Sequence, residues 1–503
     1  METNDFRHVY DVEKIFEVVL AFNGLSDRTT LLETILTKMM EITYSDAGTL
    51  YIVEEGKLHF RIIRNKTLGI YQSAATDEIN LPPIVLDSSN IQNVSAYCAI
   101  TNEVVQVDDV YGEIELFNMA GPKNYDKMTG YYTRAMLVLP LCTQRGSNDE
   151  VLGVIQLMNP LDPVTGGPGV YGNIDDPPIV PALARIAANT LSNLTYVKEL
   201  RNFMFAFAGA MTQAIDERTP YNNHHTQNVA RYCREFAGYL GEKFPAGHPL
   251  HFDKHRTERL TLAALLHDIG KISTPLSLMH KANRLGSSGI DAVRYRFQLK
   301  KHQIKIEWLS KRISDDEYAA EMKAMDEALE FVEFVDNVGF LQDDALEKVQ
   351  SLGSITYVNT SGDVVPLLDA DDLDALSIRK GTLTVAERES MQKHVVITGR
   401  LLDEIPYWKY YEDVPLWARS HHEFLDGTGY PSGLSGDAIP IEACIITITD
   451  IYDALVASDR PYKKAMPVDK SLQILVEMAN EGKLHKELVE LFIESKTWED
   501  ELR

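Results

Sequence analysis

Residues 258–271 read ERLTLAALLHDIGK. Leu260, Ala263, Ala264 and His267 fall three and four apart, so His267 extends a small-residue stripe on the inner face of a helix. Asp268 follows it, and Gly270 stops the helix. Small neighbours let backbones approach closely around whatever His267 binds. The same periodicity places two more histidines inward. In HHTQNVARYCREFAGYL (224–240), His225 continues the positions of Val229, Tyr232, Cys233, Phe236, Ala237 and Leu240, whereas His224 does not. In SMQKHVVITGRLL (390–402), His394 is in register with Met391, Val395, Thr398 and Leu402. IEACIITITDIYDALVA (441–457) is apolar on nearly every side of Asp450, where an ionised carboxylate is costly unless paired or bound to metal. HHEFLDGTGYPSG (421–433) adds adjacent His421 and His422 ahead of a Gly- and Pro-rich loop. Each feature has a plain explanation: a core histidine satisfied by a carbonyl, an Asp450–arginine pair, an accidental His421–His422 pair, an ordinary turn. Twelve of the 14 histidines lie at or beyond residue 224, and the joint reading is a polynuclear metal site. Imidazole and carboxylate ligands without thiolates suit iron, manganese or zinc.

The chain has 503 residues, 45% hydrophobic and 24% charged, more than one core needs, so two or three domains are expected. A net charge of −25 leaves no basic stripe for nucleic acid. Cys98, Cys142, Cys233 and Cys444 are widely spaced in apolar settings that suit reduced thiols. The N-terminus carries no apolar run behind a basic start, and no later stretch nears about 20 uninterrupted apolar residues. A soluble, cytoplasmic protein without a membrane partner is expected.

Toward the N-terminus, LLETILTKMMEIT (31–43) has helical spacing, and AGTLYIVEEGKLHFRIIRN (47–65) reads as two strands about Glu55-Gly56. RAMLVLPLCTQRGSNDEVLGVIQLMN (134–159) reads as a second hairpin with RGSND as its turn. Helices flanking an antiparallel sheet make an α+β domain. From Pro181, ALARIAANTLSNLTYVKELRNFMFAFAGAMTQAID runs for about ten turns at ~3.6 residues per turn. A helix of that length joining two domains is a natural signalling rod, and a homodimer through it is expected. Beyond residue 220 the pattern is helical, with a polar segment at 286–380 that reads as an inserted helical hairpin with a small β tip at SITYV and DVVPLL.

Two resemblances rest on these residues. The order helix, hairpin, polar middle, DKMTGYYTRAMLVLPL and VLGVIQLMN resembles GAF domains, small-molecule-binding sensor modules, across residues 12–195, without the NKFDE-type signature of cyclic-nucleotide GAF domains. HH ahead of GYP, LLHDIGK, KH at a helix head and TDIYDALVASDRPYKKAM resemble the HD-GYP phosphodiesterases across residues 200–285 and 380–480. The resemblance implies a multidomain chain: an α+β GAF-like sensor domain (12–195), a connecting helix (181–220), and an all-α HD-type metallophosphohydrolase domain (200–490) with the insertion 286–380.

It further implies hydrolysis of cyclic di-GMP, or a related cyclic dinucleotide such as cyclic GMP-AMP, to the linear dinucleotide, with an unidentified small molecule bound by the GAF-like domain. His225, His267, Asp268, His394, His421, His422 and Asp450 carry over as ligands of two divalent ions, iron or manganese, with Asp268 bridging. Lys271 carries over as a donor to the phosphate or leaving oxygen, and Tyr430, Arg460 and Lys463 as residues holding base and phosphates. Some members carry a glutamate one turn before the first histidine for a third ion; Tyr221 stands there instead, so two ions are expected. The insertion falls where the family has a short connection between KISTP and KGTLT. The competing readings are another HD-type nucleotide phosphohydrolase and a catalytically silent cyclic-dinucleotide sensor.

Overall fold

The computed structural model of the chain describes residues 12–23, 25, 27–76, 79–145, 148–172, 179–218, 224–406, 409–457 and 466–499. The chain divides into two compact units, 1–203 and 204–503.

The first unit opens with α1 (Val12–Asn23) and α2 (Arg28–Ile42), the latter capped by Asp27, whose carboxylate accepts from Thr30 N. Strands β1 (Ser45–Glu54), β2 (Lys57–Asn65), β3 (Ile70–Ser73) and β4 (Ile84–Val85) follow, then α3 (Val94–Thr101), β5 (Val105–Val107), α4 (Ala120–Thr129), β6 (Met136–Arg145) and β7 (Asn148–Pro160). The antiparallel sheet runs β3-β2-β1-β7-β6-β5, with β4 on β2. Alternate residues of a strand point to opposite faces, and β6 is apolar on both. Leu137, Leu139 and Leu141 join Leu31, Ile35 and Leu36 of α2 in one core. Met136 and Val138 join Val94 and Cys98 of α3 in another. The β6–β7 pairing continues to Arg145 opposite Asn148, so Arg145, Asn148 and Asp149 belong to strands rather than to the expected five-residue turn.

Helix α5 spans Ile179–Asp216 without interruption. In the second unit, α6 (His225–Lys243), α7 (Lys254–Leu266), α8 (Leu276–Met279), α9 (Gly286–Leu309), α10 (Asp315–Asn337) and α11 (Asp343–Leu352) precede a two-stranded ribbon of β8 (Thr356–Val358) and β9 (Val364–Pro366). Then come α12 (Ala370–Leu376), α13 (Val385–Asp403), α14 (Val414–Arg419), α15 (Ile441–Val456), α16 (Val468–Asn480) and α17 (Lys486–Ser495). The apolar circumference of α15 makes it the centre of this unit: Ile445, Ile448 and Tyr452 pack with Val229, Phe236, Ala263 and Phe492.

The insertion is larger than a helical hairpin with a β tip, because α11 and α12 also form, α12 started by a capping box between Asp369 and Asp372. It has its own core, including Val293, Phe297, Val332 and Leu367. Arg284 is fully buried at its base and donates to the carbonyls of Val335, Val338 and Ile378, tying the insertion's two ends together. No helix among the described residues is long and apolar enough to cross a membrane.

Candidate metal centre

Five elements bring the predicted ligands together. His225 opens α6, His267 and Asp268 follow α7, His394 lies within α13, and Asp450 lies within α15. His421 and His422 follow α14. The close approach of the 267–271 segment to α13 depends on Gly270, where a Cβ would lie 1.9 Å from His394 O. Thr398 of α13 locks the contact: its hydroxyl donates to His267 O (3.0 Å) and accepts from Gly270 N (3.0 Å).

The imidazoles are oriented by their outer nitrogens. Nδ1 of His267, His394 and His421 lies 2.6, 2.6 and 2.7 Å from the carbonyls of Ala264, Met391 and Ala418. A carbonyl only accepts, so each Nδ1 carries the proton and each Nε2 presents a lone pair inward. His225 Nδ1 meets Asp453 Oδ2 at 2.6 Å, the carboxylate–histidine support seen behind metal ligands. Asn228 Nδ2 donates to the other oxygen of Asp453 at 3.1 Å.

Asp268 lies between two groups of these nitrogens. Its Oδ2 is 3.2 Å from His267 Nε2 and 3.7 Å from His225 Nε2, whereas its Oδ1 is 3.3 Å from His394 Nε2 and 3.9 Å from His421 Nε2. Asp450 Oδ1 is 3.1 Å from His225 Nε2, and Asp450 Oδ2 is 4.0 Å from His422 Nδ1. Three sets are compact enough for an ion: His225, His267 and Asp450; His267, Asp268 and His421; His394, His421 and His422. His267 Nε2, His394 Nε2, His421 Nε2 and Asp268 Oδ1 are buried with no hydrogen-bond partner among the described residues. Unsatisfied buried acceptors cost free energy that a bound cation would recover, so the residues present fit divalent ions.

Electrostatics separate the members. Burial opposes ionisation of Asp268, but Lys271, His267 and His225 override it and hold the carboxyl well below the usual range. Burial likewise opposes charge on His225, yet Asp268, Asp450 and Asp453 carry its imidazole well above the ordinary value. Burial pushes His422 down to about 4 and His421 well below the usual range, leaving both rings as neutral donors of lone pairs. The Lys271 ammonium reaches Asp268 Oδ2 at 2.5 Å and is partly exposed at the rim.

The loop after His422 folds back over the cluster. Glu423, fully enclosed, accepts from Ser432 N (2.7 Å) and Leu434 N (2.9 Å), and Tyr430 N donates to His422 O (3.1 Å). Gly429 permits this, since a Cβ there would lie 2.5 Å from His422 O. The Tyr430 ring consequently sits 4.8 Å from the His422 ring. Tyr221, Arg460 and Lys463 lie outside the described residues.

Sequence reasoning missed Asp453, Glu423 and Arg218. Asp453 is one turn past Asp450 on α15, and Glu423 directly follows the histidine pair, so both were signalled by position. Arg218, just beyond α5, donates Nη1 to Ile272 O (2.5 Å) and Lys271 O (3.2 Å), and Nη2 to Thr274 O (3.4 Å). No local pattern marks it.

Comparison with known proteins divides the chain in the same order. A GAF domain model matches residues 27–168, and two HD domain models match 223–333 and 371–488. The 3'3'-cGAMP-specific phosphodiesterase 3 of Vibrio cholerae is 43% identical over 104 residues, 21% of this chain and 22% of that protein. The cyclic di-GMP phosphodiesterase response regulator RpfG of Xanthomonas campestris is 40% identical over 111 residues, 22% of this chain and 28% of that protein. The match to this chain thus spans less than a third of either relative's length. Among solved structures, the GAF domain of an Acinetobacter phosphoenolpyruvate-protein phosphotransferase covers 37% of this chain and 96% of its own, at 12% identity and a TM-score of 0.27. The chain carries an N-terminal α+β GAF domain followed by a largely helical HD domain region.

Proposed function

We propose that this chain is a divalent-metal-dependent phosphodiesterase that opens a cyclic dinucleotide, cyclic di-GMP or 3'3'-cGAMP, to the linear dinucleotide under control of its GAF domain. The observation that carries the reading is the convergence of four buried acceptor atoms without partners, on His267, His394, His421 and Asp268. The relatives named for cyclic di-GMP and 3'3'-cGAMP phosphodiesterases support the substrate class.

In this reading His225, His267, Asp268, His394, His421, His422 and Asp450 would hold two ions, with Asp268 shared between them. The thiolate-free ligand set suits iron, manganese or zinc, and iron or manganese is assigned on the family resemblance. When bound, the ions supply Lewis-acid polarisation of the phosphoryl group and of water. The protein's own residues do the rest. Asp453 and the carbonyls of Ala264, Met391 and Ala418 hold the rings in the ligating tautomer. Glu423 positions the loop so that Tyr430 offers a flat face to a base at the rim. As the oxygen of water bonds to phosphorus and the ester P–O bond breaks, Lys271 gives the leaving oxygen its proton, and the proton lost by the water passes to solvent, from which Lys271 is reprotonated. Arg460 and Lys463 are assigned to the phosphates, a homodimer through α5 to the assembly and the cytoplasm to the location, on the sequence grounds above.

The full chain, prepared anaerobically with Fe(II) or Mn(II), should contain about two ions and convert cyclic di-GMP or 3'3'-cGAMP to a linear product identified by chromatography. Metal at trace level or absence of linear product sinks the reading. Lys271→Ala should keep its ions and lose about 10² to 10⁴ in turnover, the usual worth of a placed proton donor. An unchanged rate removes Lys271 from the chemistry.

A further inference from the structure

The first unit encloses a cavity of about 320 Å³ against the sheet face that carries α3. Phe60, Ile84, Met136 and Met158 supply apolar wall, and the Tyr51 and Phe60 rings meet at 4.7 Å between centroids. What such a cavity accepts depends on which polar valences its wall leaves unused.

Gln156 of β7 is the central polar group. Its Oε1 accepts from Tyr51 Oη at 2.8 Å and from Ser95 Oγ at 3.2 Å, which occupies both lone pairs. Its Nε2 meets only thioethers, Met136 Sδ at 3.1 Å and Met158 Sδ at 3.9 Å. Thioethers are weak acceptors, so this amide has strong acceptor partners on one side and a poorly used donor on the other. Three asparagines in the wall repeat the pattern, the first being Asn65, whose Oδ1 accepts from Leu68 N. Asn93 Oδ1 caps α3 by accepting from Ser95 N and Ala96 N, and Asn118 Oδ1 accepts from Ala120 N. Among the described residues, none of these three side-chain nitrogens donates to a protein acceptor. The wall therefore offers four amide donors, those of Gln156, Asn93, Asn118 and Asn65, and consumes its amide oxygens internally.

Charge is handled differently. Arg64 is the one charged residue of the wall among the described residues. The β1–β2 register shifts between Leu50 and Tyr51, which turns Ile62 to the face that packs on α2. Arg64, two residues further, shares that face and donates Nη1 to Thr37 Oγ1 of α2 at 2.8 Å. Its cation is thus committed away from the cavity. Asp126, buried behind Thr133, accepts from both the backbone and the hydroxyl of that residue, and among the described residues no lysine, histidine or second arginine lines the cavity to balance an anion. A buried charge without a partner is strongly disfavoured.

We propose that the cavity binds an uncharged, flat ring compound bearing hydrogen-bond acceptors, read by the side-chain nitrogens of Gln156, Asn93 and Asn118. Phosphate- and carboxylate-bearing ligands are excluded by the same wall. The inference concerns binding alone and stands independently of the hydrolytic reading.

The test titrates the full chain by calorimetry with three probes of similar shape: coumarin, which has acceptors and no charge; naphthalene, which has neither; and coumarin-3-carboxylate, which is an anion. Coumarin should bind at least about tenfold more tightly than either comparator, the worth of one well-made hydrogen bond in a desolvated site. Gln156→Glu keeps the acceptors used by Tyr51 and Ser95 but removes the donor, and Asn93→Asp keeps the α3 cap but removes its donor. Each should weaken coumarin several-fold at an unchanged melting temperature. Equal or tighter binding of naphthalene or of the carboxylate, no saturable binding of coumarin, or wild-type affinity in both variants would overturn the proposal. Should a variant melt early, the order of the three probes on the unaltered chain decides.

Discussion

The cavity beside the sheet and the histidine cluster of the helical unit are built by one device with opposite results. In both, a side chain uses one polar atom for structure and turns the other toward the site. Asn93 caps α3 with its oxygen and keeps its nitrogen; His267 donates Nδ1 to Ala264 O and keeps the Nε2 lone pair. In the cavity the remainders are neutral donors, whereas in the cluster they are lone pairs and carboxylates. The chemical class of a ligand follows from the valences that folding leaves unused, more directly than from the list of residues in the wall.

That contrast is most exposed to failure at Asp268, the carboxylate shared by both halves of the cluster. Asp268→Ala should abolish hydrolysis and lower the metal content below about two ions per chain while far-ultraviolet circular dichroism stays helical. Near-wild-type turnover with full metal loading would show that it does not join the two halves.

A smaller loss is expected from Asp453→Asn, which leaves His225 in place but weakens its support. Metal affinity should fall about 10- to 100-fold, as for other outer partners of ligating histidines. The pH dependence has a definite sign. Asp268, Asp450 and Asp453 hold a proton on His225 above its ordinary range, and a metal must displace that proton. Metal affinity should therefore rise with pH up to the raised value and fall as acid protonates His225, while coumarin binding in the neutral cavity stays flat across the same range. Competition against a chromophoric chelator at several pH values measures the first and calorimetry the second. A flat metal profile would mean that His225 is not a ligand.

The mildest effect is expected at Arg218. Arg218→Ala frees the carbonyls of Lys271, Ile272 and Thr274, which loosens the segment carrying the proposed proton donor. Turnover should drop a few-fold, equivalent to about 1 kcal/mol for solvent-accessible hydrogen bonds, with metal content unchanged. A loss of metal instead would place Arg218 in the stability of the cluster.

Much of this was legible from periodicity. His225, His267 and His394 lie on the inner faces that their helical spacing indicates, and Asp450 is buried where α15 is apolar all round. The hairpins of the first unit follow from alternation and from Glu55-Gly56, where positive φ at both positions suits the tight connection. Two features were less accessible. The insertion reads as a hairpin because α11 and α12 are short, yet Arg284 and a separate core turn it into a subdomain of four helices and a ribbon. The polar middle between β4 and β6 contains Asn93 and Asn118, which look like ordinary turn residues until the cavity appears beside them.

The sequence by itself determined the inventory: which helices carry histidine inward, which loop follows the pair at 421 and 422, and which segments form the two long hairpins of the sheet. These are local properties, set by side-chain spacing over a few residues. Only the tertiary structure decided which atom of each side chain remains available. That Asp268 directs one oxygen toward His225 and the other toward His394, that Asp453 orients His225 from 228 positions away, and that the Gln156 nitrogen meets the thioethers of Met136 and Met158 all depend on how the chain folds together. Hydrogen-bond valence is allocated only when the chain has closed on itself, and no local pattern records the outcome.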